Sequence, residues 1–184
     1  MKVIKTDIPE VKIIEPTVFG DERGYFLESY NKKAFEENIG SITFVQDNES
    51  KSSKGVLRGL HFQKPPFTQA KLVRCIKGKV IDIAVDIRRD SPTYGKHVSV
   101  ILSEENKKQL FVPRGFAHGF AVLSETAVFA YKVDNTYAPE YDGGIIWNDT
   151  HLQIDWNLSE NEVKLSDKDV KLPNLASLDN PFIY

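Results

Sequence analysis

Cys75 is the only cysteine in the chain, so an internal disulfide and a multi-cysteine zinc site are both excluded. Long apolar runs are missing too. The longest stretch free of charged residues, Gly115 to Ser124, is ten residues, about half of a membrane span. The opening residues, Met1-Lys-Val-Ile-Lys-Thr-Asp7, contain no apolar signal core. Neither sign of charge dominates. Lys plus Arg (24) nearly cancel Asp plus Glu (26) over 184 residues, and a net charge of -2 argues against duplex DNA or any partner held by a basic surface. No repeat, low-complexity tract or linker interrupts the chain. The four histidines, His61, His97, His118 and His151, form no H-x-H or H-x-x-x-H pair, so a metal could be held only by long-range assembly. With 41% hydrophobic and 27% charged residues, the expectation is one soluble, cytoplasmic domain spanning residues 1–184.

Eleven Gly and nine Pro punctuate the chain at short intervals, which suits many short strands better than long helices. Lys71–Ile76 and Val80–Ile87 flank Gly78 and predict a β-hairpin. In the second run Ile81, Ile83, Val85 and Ile87 share a face. The opposite face, Val80, Asp82, Ala84 and Asp86, is small or polar, as in a barrel interior that holds something wet. Further strands are predicted at Val11–Pro16, Gly24–Tyr30, Phe44–Ser50, His97–Leu102, Gln109–Val112, Phe120–Leu123 and Ala127–Val133. A short helix is predicted over Lys32–Asn38, capped by Asn31 and followed by Gly40. Ser166-Asp-Lys-Asp169 has capping-box spacing and predicts a second. Strands predominate to about residue 148, and the tail beyond is polar and irregular. The pattern is all-β, a sandwich or barrel with a C-terminal flap.

Three segments could carry chemistry, each with a plainer alternative. In Gly55-Val-Leu-Arg-Gly-Leu-His61, Arg58 and His61 fall on opposite faces of an extended strand unless a bulge at Gly59 re-aims one of them. His61 reads equally well as a hydrogen-bonded histidine at a sheet edge. Pro113-Arg-Gly-Phe-Ala-His118 has the spacing of the second cupin motif, whose histidine usually binds metal. The paired histidines of the first motif are missing, and an ordinary turn with His118 packed between Phe116 and Phe120 fits as well. Ala127–Val133 puts Phe129, Tyr131 and Val133 on one face, where a tyrosine is more often core than proton donor.

Taken together, the chain resembles the dTDP-4-dehydrorhamnose 3,5-epimerase family. The resemblance runs through Asp21-Glu-Arg-Gly-Tyr-Phe26, Gln46-Asp-Asn48, Gly55–His61, Lys71-Leu-Val-Arg74, Pro113–Phe120 and Tyr131-Lys132. It continues in Tyr137-Ala-Pro-Glu-Tyr-Asp142, Trp147-Asn-Asp149 and Leu165-Ser-Asp-Lys-Asp169. It implies a metal-free cupin jelly-roll barrel without cofactor, acting as a homodimer on a dTDP-linked 4-keto-6-deoxy sugar. His61 then matches the general base, Asp169 its carboxylate partner, Tyr131 the opposite-face acid, and Lys71 the cation beside the C4 oxygen. Arg23, Glu28, Gln46, Asp47, Asn48, Arg58, His118, Asp142 and Lys168 match substrate-contacting positions. Tyr137 matches the aromatic stacked on thymine. Phe26 and Glu28 share a face, a platform and acceptor for a nucleobase or else a charged turn leading into an edge strand, and in this family that strand crosses to the partner subunit. The family often has Glu where this chain has Asp142.

A C4 ketone acidifies the C3 and C5 hydrogens, and inversion then needs a base on one face and an acid on the other. A neutral His oriented by a carboxylate is a suitable base near pH 7. A buried Lys is a suitable partner for the enolate oxygen. The motifs leave three alternatives open: a mono-epimerase at C3 or C5, a ketoisomerase, and a non-catalytic sugar-nucleotide-binding cupin. Asp82 and Asp86 receive no role.

Overall fold

The two runs flanking Gly78 do not pair with each other. In the computed structural model, which describes residues 1–184, they are β7 (Lys71–Lys77) and β8 (Lys79–Asp86), and they belong to different sheets. Gly78 turns the corner between them with φ +79°, and a Cβ there would lie 2.1 Å from the Thr126 carbonyl oxygen. The amides at the corner are held from outside: Gly78 N–H donates to Glu104 Oε1 and Lys79 N–H to Ser124 Oγ, each at 2.8 Å. With those donors satisfied from neighbouring loops, the turn does not fold β8 back beside β7, and the predicted hairpin is corrected to a sheet-to-sheet crossing.

The remaining strands are β1 (Lys2–Lys5), β2 (Lys12–Glu15), β3 (Val18–Asp21), β4 (Gly24–Leu27), β5 (Gln46–Ser53), β6 (Leu57–Gln63) and β9 (His97–Ser103). They continue with β10 (Gln109–Val112), β11 (Phe116–Val122), β12 (Thr126–Val133) and β13 (Asp142–Gly144). A six-stranded sheet has the order β1-β2-β10-β7-β12-β5 and faces a five-stranded sheet of order β13-β6-β11-β8-β9. All strand pairs are antiparallel. β3 and β4 form a separate hairpin. The one α-helix, α1, covers Lys32–Asn38 as predicted, with the Asn31 side chain accepting from Ala34 N–H at 3.1 Å.

Burial follows the alternation of β8. Val80 and Ala84 point between the sheets into a core with Val73, Leu102, Leu110, Phe120 and Phe129. Ile81, Ile83, Val85 and Ile87 point outward and are buried as well, under Ile145, Leu152, Trp156, Leu175 and Phe182. The tail is irregular, as expected, but its scattered apolar side chains seal the outer face of the five-stranded sheet. Asp149 fastens it, accepting from His151 N–H at 2.8 Å and from Leu175 N–H. Its predicted second helix is a short 3-10 turn at Asp169–Lys171. Cys75 is buried, and burial pushes its thiol up to about 12, leaving it a packing residue. No helix is long and apolar enough to cross a membrane.

Candidate active site

A cavity of about 700 Å³ opens between the two sheets, within the range of small-ligand sites. From the five-stranded sheet, β6 contributes Arg58, His61 and Gln63, and β11 contributes His118 and Phe120. From the six-stranded sheet come Gln46, Asn48 and Ser50 on β5, Lys71 on β7, and Phe129 and Tyr131 on β12. Phe120 and Phe129 meet across the gap, stacked at 4.1 Å between ring centroids, and continue the inter-sheet core into the cavity. Tyr137, Asp142 and the segment Lys164–Asp169 complete the lining.

The bulge that β6 needs is present. His118 pairs with His61 and Phe120 with Arg58, so three steps on β6 match two on β11. Gly59 absorbs the extra residue with φ +132°, and a Cβ there would stand 2.5 Å from Gly119 Cα. Arg58 and His61 therefore reach the same cavity. Arg58 is steadied by Ser52, whose Oγ accepts from Nε and Nη2 at 3.3 and 3.2 Å.

His61 Nε2 lies 2.7 Å from Asp169 Oδ1. The other ring nitrogen, Nδ1, has no protein partner. The capping box suggested by the spacing does not form, since the 3-10 turn is entered from Lys168 without a side-chain cap. Ser166 still bridges to Asp169: its Oγ donates to Oδ2 at 2.8 Å and accepts from Asp169 N–H at 3.2 Å. The segment is held in place by a parallel bridge between Val56 and Lys164, with Leu57 N–H donating to Lys164 O at 3.0 Å. Burial alone would raise the Asp169 carboxyl, but contacts with His61 and Ser166 outweigh it and hold the group below its ordinary range. Asp169 is thus ionised beside an imidazole.

Burial pushes the Lys71 ammonium down to about 8, opposed by the charges of Asp142 and Asp82. Burial likewise raises the Tyr131 phenol, with the Arg58 cation opposing, so Tyr131 keeps its proton at neutral pH. His118 is neither a metal ligand in a cluster nor a mere spacer between phenylalanines. Its Nε2 lies 3.0 and 3.1 Å from the two oxygens of buried Asp82. Burial pushes Asp82 upward, against the pull of His118 and Lys71. No group of three or more His, Cys, Asp or Glu side chains is placed to hold a metal ion.

Of the residues singled out in the sequence, His61, Tyr131, Lys71, Asp169, Gln46, Asn48, Arg58, His118, Tyr137, Asp142 and Lys168 converge on the cavity. Asp142 accepts from the Tyr137 hydroxyl at 3.3 Å and pairs with Lys168. Asp47 does not converge: strand alternation turns it outward, where it binds Lys132 at 2.8 Å. Asp86 is also away from the cavity, accepting from Arg88, Ser91 and Thr93 at 2.6–3.0 Å. Arg23, Phe26 and Glu28 lie outside the cavity of their own chain, Phe26 on β4, 69% exposed, and Arg23 and Glu28 just beside that strand. Ser50, Gln63, Gln69, Lys164 and Ser166 line the cavity without having been anticipated. The alternation Gln46, Asn48, Ser50 pointed to the first of these, and Gln63 stands two residues beyond His61 on one strand.

Two antiparallel sheets enclosing an acid–base site define a cupin-type barrel enzyme. The chain belongs to the dTDP-4-dehydrorhamnose 3,5-epimerase family, which it matches over residues 5–177. It is 59% identical over 171 residues to the dTDP-4-dehydrorhamnose 3,5-epimerase of Shigella flexneri, covering 92% of this chain and 93% of that one. A dTDP-6-deoxy-D-glucose-3,5-epimerase from Legionella pneumophila Philadelphia 1, solved in complex with dTDP-4-keto-L-rhamnose, superposes with a TM-score of 0.96. That structure is 52% identical and covers 100% of this chain and 98% of its own. The enzyme from Elizabethkingia anophelis NUHP1 superposes with a TM-score of 0.92 at 56% identity, covering 98% of both chains. The chain is an isomerase, a dTDP-sugar 3,5-epimerase.

Proposed function

We propose that residues 1–184 act as one epimerase domain. Its cavity converts dTDP-4-dehydro-6-deoxy-D-glucose to dTDP-4-dehydro-L-rhamnose by moving protons between two opposed walls. The observation that carries this reading is the placement of His61 on the five-stranded sheet and Tyr131 on the six-stranded sheet, both lining one cavity. His61, oriented by Asp169, takes the proton from C3 or C5, and Tyr131 delivers one from the opposite face. Each such group is typically worth roughly 10²–10⁴-fold in rate. Lys71, beside Tyr131's strand, stabilises the enolate oxygen formed from the C4 ketone. His118, held by Asp82, contacts the sugar.

At the nucleotide end, Arg58 and Lys168 neutralise diphosphate, Gln46, Asn48 and Asp142 supply polar contacts, and Tyr137 stacks on thymine. Arg23, Phe26 and Glu28 serve a second copy of the chain, making the active unit a homodimer with shared sites. The exposed Phe19 and Phe26, cross-strand partners on the β3–β4 hairpin, support this as an aromatic surface suited to a partner, while Tyr25 faces the other way against Lys107.

The test is incubation with dTDP-4-dehydro-6-deoxy-D-glucose in deuterated water, followed by NMR. Deuterium enters both C3 and C5 with the wild-type protein and neither with His61→Ala. Label at one carbon only, or undiminished label in the variant, contradicts the assignment.

A further inference from the structure

Gln63 ends β6 two residues after His61 and is buried, 4% exposed. Its Nε2 donates to Phe67 O at 2.6 Å and to Thr136 O at 3.1 Å, and its Oε1 accepts from Ala138 N–H at 2.7 Å. Both amide hydrogens are therefore used. The orientation is also fixed, because a reversed amide would set its oxygen against two carbonyls. Although Gln63 lines the cavity, it has no N–H left to offer a ligand.

Thr136 and Ala138 are the two neighbours of Tyr137, in a stretch between β12 and the 3-10 turn at Pro139 that has no regular secondary structure. Tyr137 N–H is itself accepted by Gln46 Oε1 at 3.3 Å, and Gln46 Nε2 is anchored on Asn48 Oδ1 at 2.9 Å. Tyr137 is 56% exposed, and its hydroxyl makes one long bond to Asp142. Packing does not set the position of such a ring; its backbone does. That backbone is held on both sides by one buried side chain, which reaches more than 70 residues along the chain.

We infer that Gln63 is a positioning residue for nucleotide recognition, acting through Tyr137 rather than by touching substrate. The inference rests on the proposed stacking of Tyr137 on the nucleotide base. Removing the amide leaves one buried N–H and two partly buried carbonyls without that partner, which frees the loop and lowers the share of molecules with the ring in place.

The experiment is a double-mutant cycle, reading dTDP affinity by calorimetry and steady-state turnover for wild type, Gln63→Met, Tyr137→Ala and the pair. Tyr137→Ala weakens dTDP binding by roughly 5- to 100-fold, the range for loss of base stacking. Gln63→Met weakens it by about tenfold, as expected for the loss of three loop-anchoring hydrogen bonds, raising KM while kcat holds. In the pair, affinity equals that of Tyr137→Ala to within about twofold, because the two residues act as one unit. Additive losses, wild-type affinity in Gln63→Met, or a fall in kcat at unchanged KM would each overturn the inference. Should Gln63→Met fail to fold, Gln63→Asn keeps an amide one methylene short and gives the same reading. Failure of both to fold marks Gln63 as purely architectural and also overturns it. A wild-type protein that binds no dTDP contradicts the nucleotide reading itself, before any variant is compared.

Discussion

Arg58 and His61, three residues apart on β6, line one cavity because the strand slips by a residue between them. In a regular strand they would face opposite ways, so the active site depends on a backbone irregularity as much as on its side chains. Gly59 is where that irregularity is stored. Gly59→Ala should destabilise the fold by about 2 kcal/mol or more, through left-handed backbone strain and collision with Gly119. Urea unfolding with wild-type stability in this variant would contradict the bulge as described.

Asp169 does two tasks with its two oxygens, and the tasks can be separated. Ser166→Ala removes only the turn contact and should cost about 1 kcal/mol of stability, with a modest effect on turnover. Asp169→Asn should lower kcat by roughly 10²-fold or more, since an amide does not stabilise the imidazolium that forms. Thermal melts and kcat on the two variants give the comparison. Equal losses of kcat would mean that Asp169 matters only through its contact with Ser166.

Lys71 supplies the pH signature. Its ammonium is pushed down to about 8 by burial, so the side chain is cationic below that pH and neutral above it. If the cation stabilises the enolate, kcat/KM declines as pH rises through about 8. Lys71→Arg, charged at all accessible pH, should lose that alkaline decline while retaining activity. Lys71→Met should be slow at every pH, by roughly 10²–10³-fold. An unchanged alkaline limb in Lys71→Arg would assign it to another group.

The β3–β4 hairpin tests the shared site. Phe26→Glu places a charge on its exposed aromatic patch and should give a monomer in sedimentation, with the barrel folded and turnover lost. A monomer with full activity would remove the partner from the site.

Much of this architecture was legible in the residues. Asn31 marked the start of α1, Gln109–Val112 the bounds of β10, and Gly59 the bulge. What misled was locality. Lys71–Ile76 and Val80–Ile87 each read correctly as strands, but the glycine between them does not say whether the chain returns within one sheet or crosses to another. That depends on Glu104 and Ser124, distant residues that take up the corner amides. Asp47 shows a related limit: a run of three polar residues matched the family's site, yet a strand can turn only alternate members inward. Gln63 left no signal beyond its place on the His61 strand, because all its partners are backbone groups of remote loops.

The central claim is that His61 and Tyr131 transfer protons from opposite walls, and Tyr131→Phe tests it most directly. In deuterated water, exchange at C3 and C5 and formation of the inverted sugar should be followed together by NMR. With the base intact and the opposed acid gone, solvent deuterium should still enter while inversion falls by roughly 10²–10⁴-fold. Exchange and inversion falling in parallel would contradict the two-wall assignment and place both transfers on one group.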